Sequence, residues 1–249
     1  MKKTLVVVNP VEGYEKVFET AIKNGFVDEV VKTTPEKFES DLEIVFQNEN
    51  LPIFMKGLIE TADFMRLILK RKDLYNPGTL LSHCGLFDGR IILTDAALNL
   101  NPDAESKLKI LENAIYFYKK LNPGKTEIPK ISALTPAGKL NPKIQSSVDA
   151  VYLSEKLKNR AEVVLDQLDT ALSDKAAAIK GHGNSRPADI ILCHDLDSGN
   201  ILYKAFTLLA GYSVAGLIIG ANYPICLTSR ADTYESKLKS IECASKVLD

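Results

Sequence analysis

An α/β fold with a largely parallel sheet is what this sequence predicts, on three observations. Short runs rich in Val, Ile and Leu recur along the chain, these runs are apolar on both faces, and longer stretches of helical periodicity separate them. A strand covered by helices on both faces reads as a continuous apolar run rather than an alternating one. Strand alternating with helix is in turn the pattern of parallel βαβ units.

Taken in order, the first strand is expected at TLVVV, residues 4–8, where Asn9-Pro10 ends the apolar run, and a helix follows over 14–24. LPIFMKG (51–57) is the next strand, closed by a lysine and a flexible glycine, and helical spacing resumes over 60–71. LLSHCGLF (80–87) and RIILTD (90–95) are strands that carry polar groups within or at the end of an apolar run. A helix over 104–121 leads to the strand KISAL (130–134), and a helix over 146–159 leads to AEVVLD (161–166). A helix over 169–180 precedes ADIILC (188–193), and Gly199-Asn200 opens a helix running over 199–210. VAGLIIG (214–220) and PICLTS (224–229) are the last strands, and 233–247 is the last helix. Three Gly- and Pro-bearing stretches, 75–78, 121–125 and 181–187, read as loops and are too short to link independent domains. There is no internal repeat.

Composition bounds the function. The chain has 249 residues, 45% hydrophobic and 25% charged, room for one large domain or two modest lobes. Its 31 Lys plus Arg against 32 Asp plus Glu give a net charge of -1, which speaks against nucleic acid as a partner because phosphate-backbone binding needs a concentrated basic surface. Cys84, Cys193, Cys226 and Cys243 lie far apart in or beside apolar runs, so buried free thiols are expected. With only His83, His182 and His194 besides, no metal site is expected. The N-terminal apolar run is too short for a signal peptide and no later run could span a membrane, so a cytoplasmic protein is expected.

No GxGxxG, Walker A, GxSxG or HExxH pattern is present. The polar groups gather instead at the ends of apolar runs. Ligands of open α/β sheets bind outside the carboxyl ends of strands, where loops and helix N-termini converge. Lys56 closes one run, Ser82 and His83 lie within another, Asp95 closes a third and His194-Asp195 a fourth. Each has a structural alternative: a cap for Asp95, Asp197 or Ser198, and a satisfied core position for His83. With a fifth at Ser229-Arg230, such ends together exceed what capping requires. Most pointed is LTSRAD, 227–232, where a buried run delivers a hydroxyl, a guanidinium and a carboxylate in four residues. The free N–H groups of a helix opening at Gly199-Asn200 would suit an anion, Lys204 lies one turn on, and Arg230 offers a planar fork for phosphate oxygens. These groups suggest a phosphate pocket.

The same residues carry a family likeness. MKGLIETADFMRLIL (55–69), LSHCGLFDGRIILTDAALNLNP (81–102), KLNPKIQSSVDAVYL (139–153), ADIILCHDLDSGNILYK (188–204) and GANYPICLTSRADTYESKLKSIECA (220–244) occur in one order through the chain. In this the sequence resembles the phosphate acetyl/butyryltransferases, and the butyryltransferase branch more closely. The resemblance implies two α/β/α lobes of the isocitrate/isopropylmalate dehydrogenase type with the active site in the cleft between them, in a single acyltransferase unit over 1–249 whose N-terminal segment 1–54 is shortened and diverged. It implies reversible acyl transfer between coenzyme A and inorganic phosphate by direct thiolate attack, without a covalent acyl-enzyme. Coenzyme A would be a substrate, with no tightly bound cofactor, and the assembly a homodimer.

By the same resemblance Ser229 and Arg230 match the family's catalytic Ser-Arg, Asp232 or Glu235 supplies the base, and Arg66 lies near substrate, with Arg90 a second candidate. Lys56, Ser82, His83, Asp95, Gly199, Asn200 and Lys204 complete the expected substrate- and phosphate-binding set. The chain departs from the family where VVLDQLDTALS (163–173) lacks a Gly-Pro and where Pro136-Ala137-Gly138 replaces a Glu-bearing stretch. A member that binds coenzyme A, an acyl phosphate or a partner protein without turnover is the alternative. An NAD- or metal-dependent oxidoreductase would need a nucleotide loop and clustered carboxylates, and neither is present.

Overall fold

The computed structural model describes residues 1–180, 186–228 and 232–249. The elements are, in order, β1 (Lys3–Val8), α1 (Glu15–Lys23), β2 (Glu29–Thr33), α2 (Phe38–Gln47), β3 (Leu51–Lys56), α3 (Thr61–Leu69), β4 (Ser82–Phe87) and β5 (Ile91–Thr94). There follow α4 (Ala104–Leu121), β6 (Lys130–Leu134), α5 (Gln145–Leu157), β7 (Glu162–Asp166), α6 (Leu168–Leu172), α7 (Asp174–Ile179) and β8 (Ile190–Leu192). Then come α8 (Leu196–Lys204), a π-helical run Ala205–Leu209, β9 (Val214–Ile219), β10 (Ile225–Cys226) and α9 (Tyr234–Leu248).

The chain forms two compact units, one of Met1–Leu81 with Ser213–Asp249, the other of Ser82–Tyr212. In the first, strands lie in the order β2-β1-β3-β10-β9, all pairs parallel except β10 with β9. In the second the order is β4-β5-β8-β6-β7, all parallel except β4 with β5. The sheets are therefore largely parallel, as the apolar runs predict. Their central strands are dry on both faces: Leu5, Val6, Val7 and Val8 of β1 and Ile190 and Ile191 of β8 are each 0% exposed. Each such side chain stabilises the fold by roughly 1.5–3 kcal/mol through area removed from water.

The strand expected over 224–229 is only Ile225–Cys226 among the described residues, and four other elements differ from expectation for local reasons. β2 is an unexpected edge strand, and its half-exposed EVVKT lacks the apolar run of a central strand. α2 was also not expected, although Phe38, Leu42 and Val45 are buried at helical spacing. The helix expected over 169–180 breaks at Ser173, whose extended backbone caps α7 while its hydroxyl accepts from the Ala176 N–H at 3.3 Å. The helix expected to open at Gly199 starts three residues earlier, because Asp195 and Ser198 form a reciprocal capping box.

Candidate active site

In the second unit, β4 runs antiparallel to β5 with Gly85 opposite Leu93, so the start of β4 meets the end of β5. The Thr94 hydroxyl donates to the His83 carbonyl at 2.8 Å, joining the two expected polar ends directly. β8 lies on the other side with Thr94 opposite Leu192, and the Cys193 N–H donates to the Thr94 carbonyl at 2.8 Å. This register brings Ser82, His83, Asp95, Gly199 and Asn200 to one edge of the unit, though they span more than a hundred positions of sequence.

Within that edge the Asp95 carboxylate accepts from the N–H groups of Ala97 and Leu98, at 2.8 and 3.1 Å, and from the Asn99 amide at 2.5 Å. It organises its own loop. α8 then rests on the loop's backbone: a β-carbon at Gly199 would lie 2.1 Å from the Asp95 carbonyl oxygen, and the Asn200 amide donates to the Ala96 carbonyl at 3.2 Å. Ser82 accepts from the Asn113 amide at 2.9 Å. His83 is buried edge-on to the Tyr203 ring, centroids 5.6 Å apart, and burial depresses its pKa against the opposing pull of Asp95. Its Nδ1 has no hydrogen-bond partner among the described residues.

Because no side chain fits at Gly199, Gly199→Ala is expected to destabilise the protein by about 3 kcal/mol, the upper range for overpacking, since carbonyl backbone has to move. Urea unfolding measures it; a loss below about 0.5 kcal/mol, the level of an ordinary surface change, would contradict the close approach.

The expected anion site at the start of this helix does not form as the sequence suggested. Gly199 and Asn200 lie beyond the first three helical residues, and the Gly199 N–H is spent on the Asp195 carbonyl at 3.1 Å. The N-terminal charge of the helix is met by Asp195 itself, whose carboxylate accepts the Ser198 N–H at 2.8 Å and is held below its ordinary pKa by Ser198. Lys204 is exposed at the end of α8, and Arg90 is exposed with Asp88 at 3.8 Å.

A charged cluster absent from the sequence-based set lies in the same unit. Lys107 of α4 and Asp149 of α5 form a buried ion pair at 2.6 Å, and the Lys107 ammonium also approaches His194 Nδ1 at 2.9 Å. The Gln145 amide donates to the other Asp149 oxygen at 2.7 Å. Lys107, Asp149 and His194 line a cavity of about 10 Å³, the space of a single water.

In the first unit, Lys56 ends β3 buried, its ammonium donating to the Ile59 carbonyl at 2.9 Å. The Thr228 hydroxyl donates to the Lys56 carbonyl at 3.4 Å. Ser229, Arg230 and Ala231 lie outside the described residues. The groups that flank them do not. Asp232 accepts a hydrogen bond on its carbonyl from the buried Lys237 ammonium, and Lys237 sits 5.2 Å from the Tyr14 ring centroid.

Burial lowers the Lys237 pKa against the pull of Asp232, and burial raises that of Tyr14, which hydrogen-bonds Thr228. Sequence reasoning missed Tyr14 and Lys237, although Lys237 falls on the face of α9 that buries Ser236, Ser240 and Ile241. Glu235 is exposed in the first turn of α9, and Arg66 is exposed, paired with Asp63.

Among the described residues of this unit, Lys56 and Lys237 supply buried ammonium groups and Tyr14 and Thr228 supply hydroxyls. No group of three or more His, Cys, Asp or Glu among the described residues could hold a metal ion. All four cysteines are free and buried, with burial pushing Cys193 up to about 12 and Cys243 up to about 11. Among the described residues no helix is long and apolar enough to cross a membrane.

Comparison with known proteins agrees across sequence and structure. The family model described as phosphate acetyl/butaryl transferase matches residues 21–244. A phosphate butyryltransferase of Clostridium beijerinckii is 32% identical over 86% of this chain and 74% of its own length. One of Clostridium acetobutylicum is 31% identical over 99% of this chain and 93% of its own length. The crystal structure of a branched-chain phosphotransacylase from Enterococcus faecalis superposes with a TM-score of 0.82 at 28% identity, covering 99% of each chain.

Proposed function

This chain belongs to the phosphate acetyl/butyryl transferase family, and from that premise we propose that it transfers a short or branched acyl group reversibly between coenzyme A and inorganic phosphate. The observation that carries the reading is the family match over residues 21–244. The branched-chain phosphotransacylase that covers 99% of this chain supports an acyl group longer than acetyl.

The chemistry proceeds without an acyl-enzyme. The coenzyme A thiolate attacks the acyl phosphate carbonyl, the carbon–sulfur bond forms, the carbon–oxygen bond to phosphorus breaks, and phosphate departs. Four buried thiols with raised pKa values make poor nucleophiles, which favours direct transfer. The enzyme's tasks are then to position two anionic substrates, stabilise the developing oxyanion and remove the thiol proton.

We assign Arg230 to phosphate, Ser229 to a hydrogen bond at the reacting centre, and Asp232 to the base. Asp232 is the half-buried carboxylate beside Lys237, whereas Glu235 is exposed and complements the positive end of α9. Arg66 and Lys204, both exposed cations, serve the substrate phosphates. Lys56, Ser82, His83, Asp95, Gly199 and Asn200 contribute through the loops they hold.

Coenzyme A enters and leaves as a substrate in the cytoplasm, and two copies of the chain associate. The exposed apolar side chains Ile201, Leu208 and Leu209 offer a surface for the second copy.

Thiol release from acetyl-, propionyl-, butyryl- and isobutyryl-CoA in the presence of phosphate tests the substrate. The four-carbon thioesters are expected to give the highest kcat/KM. A preference for acetyl-CoA would overturn the acyl assignment, and binding of coenzyme A with no turnover of any of the four would leave a non-catalytic binder.

A further inference from the structure

His194 leaves the carboxyl end of β8 beside the end of β5, on the ligand-facing edge of the parallel strands. Its Nδ1 lies 2.9 Å from the Lys107 ammonium, which has only protons to offer. Nδ1 is therefore the acceptor, and the single proton of the neutral ring resides on Nε2. The side chain is 37% exposed, while Lys107 and Asp149 behind it are at 3% and 6%. Among the described residues Nε2 has no hydrogen-bond partner.

The groups facing the ring come from three elements: Lys107 on α4, Asp149 on α5 with its oxygen 4.0 Å from Nδ1, and Asp195 at the cap of α8. One cation and two carboxylates leave a net negative charge around an uncharged donor. Such a neighbourhood repels a phosphate and suits an uncharged carbonyl oxygen. The cavity beside it is walled by Ala133, Leu134, Leu153 and Leu192 together with the paired Lys107 and Asp149, so its one cation is already matched by a carboxylate.

We propose that His194 contacts acyl-CoA: Lys107 fixes the imidazole as its Nε2–H tautomer, and that N–H donates to a carbonyl oxygen of the thioester or of the pantetheine arm. The proposal rests on the acyltransferase reading. Burial first, and Lys107 second, depress the His194 pKa, against Asp149 and Asp195, so the ring stays neutral and keeps its one donor at neutral pH. Lys107→Met removes one depressing charge and turns Asp149 into a partner for the protonated ring, so the pKa rises.

Imidazole nitrogen NMR on the full chain tests this directly, since only three histidines are present and His194→Asn assigns the resonance. The expected spectrum shows the Nε2–H tautomer, with protonation only below the ordinary histidine range in the native protein and at higher pH in Lys107→Met. An Nδ1–H tautomer or an ordinary pKa in the native protein would overturn it. Coenzyme A, acyl phosphate and inorganic phosphate are then added separately. A saturable Nε2 shift with coenzyme A identifies a pantetheine carbonyl, and one with acyl phosphate identifies the acyl carbonyl. A shift with inorganic phosphate, or with none of the three, contradicts the proposal.

In turnover, His194→Asn keeps an acceptor for Lys107 but loses the Nε2 donor, and is expected to raise KM for acyl-CoA about fivefold with kcat little changed. His194→Gln, which restores an N–H near Nε2, is expected to recover part of that loss. An active native enzyme with an unchanged KM in His194→Asn sinks the contact and leaves the acyltransferase reading intact. An inactive native enzyme sinks that reading, and the ligand-induced shifts still decide the contact.

Discussion

Arg230→Ala is expected to lower kcat/KM for acyl phosphate by about 10²- to 10³-fold, the scale of removing one charge-stabilising donor from a transition state. The guanidinium is assigned to phosphate because its planar fork can hold two oxygens of the leaving group at once, while its charge offsets what develops there. Arg230→Lys keeps the charge and loses the fork, so it should retain more activity than alanine yet fall well short of the native enzyme. Because the substitution targets chemistry rather than folding, the urea midpoint should stay within the range of a surface change. Coenzyme A-dependent consumption of acyl phosphate, followed as loss of free thiol, measures it in the three proteins. Equal kcat/KM in native and Arg230→Ala protein would remove Arg230 from the site.

Lys107→Met is expected to destabilise the protein by about 3–5 kcal/mol, because it strands the Asp149 carboxylate in the interior without its cation. Lys107 and Asp149 sit at 3% and 6% exposure, so water cannot screen the remaining charge. The magnitude reflects the unpaired survivor rather than the worth of the pair. Lys107→Met with Asp149→Leu should accordingly be much less destabilised than Lys107→Met alone. Denaturant unfolding of the two variants decides it, and a double variant no better than the single would show that the cost is packing and not charge.

Much of the architecture was legible because buried strands announce themselves: Leu5 to Val8, Ile53 to Met55 and Ile190 to Leu192 are uninterrupted apolar runs, and they are strands. β2 escaped because an edge strand does not need that composition. The helix start at Leu196 escaped because a capping box was read as a separate polar end, and Gly199, read as a helix opening, instead allows α8 to touch the Asp95 backbone.

Site residues divide the same way. Ser82, His83, Asp95, Gly199 and Asn200 could be named from apolar runs and a helix opening, and the antiparallel β4–β5 and parallel β5–β8 registers bring them to one edge. The Lys107–Asp149–His194 cluster joins three elements far apart in sequence, and only His194, at the end of an apolar run, drew notice there. Tyr14 and Lys237 approach each other across almost the whole chain. Neither contact leaves a local pattern, because each is created by folding.

The central claim is transfer of an acyl group to phosphate rather than to water. Its most direct measurement is butyryl-CoA incubated with and without inorganic phosphate, with free thiol and acyl phosphate (trapped as the hydroxamate) counted in the same sample. The account predicts thiol release that depends on phosphate and is matched one for one by hydroxamate. Thiol release independent of phosphate, with no hydroxamate, would contradict it.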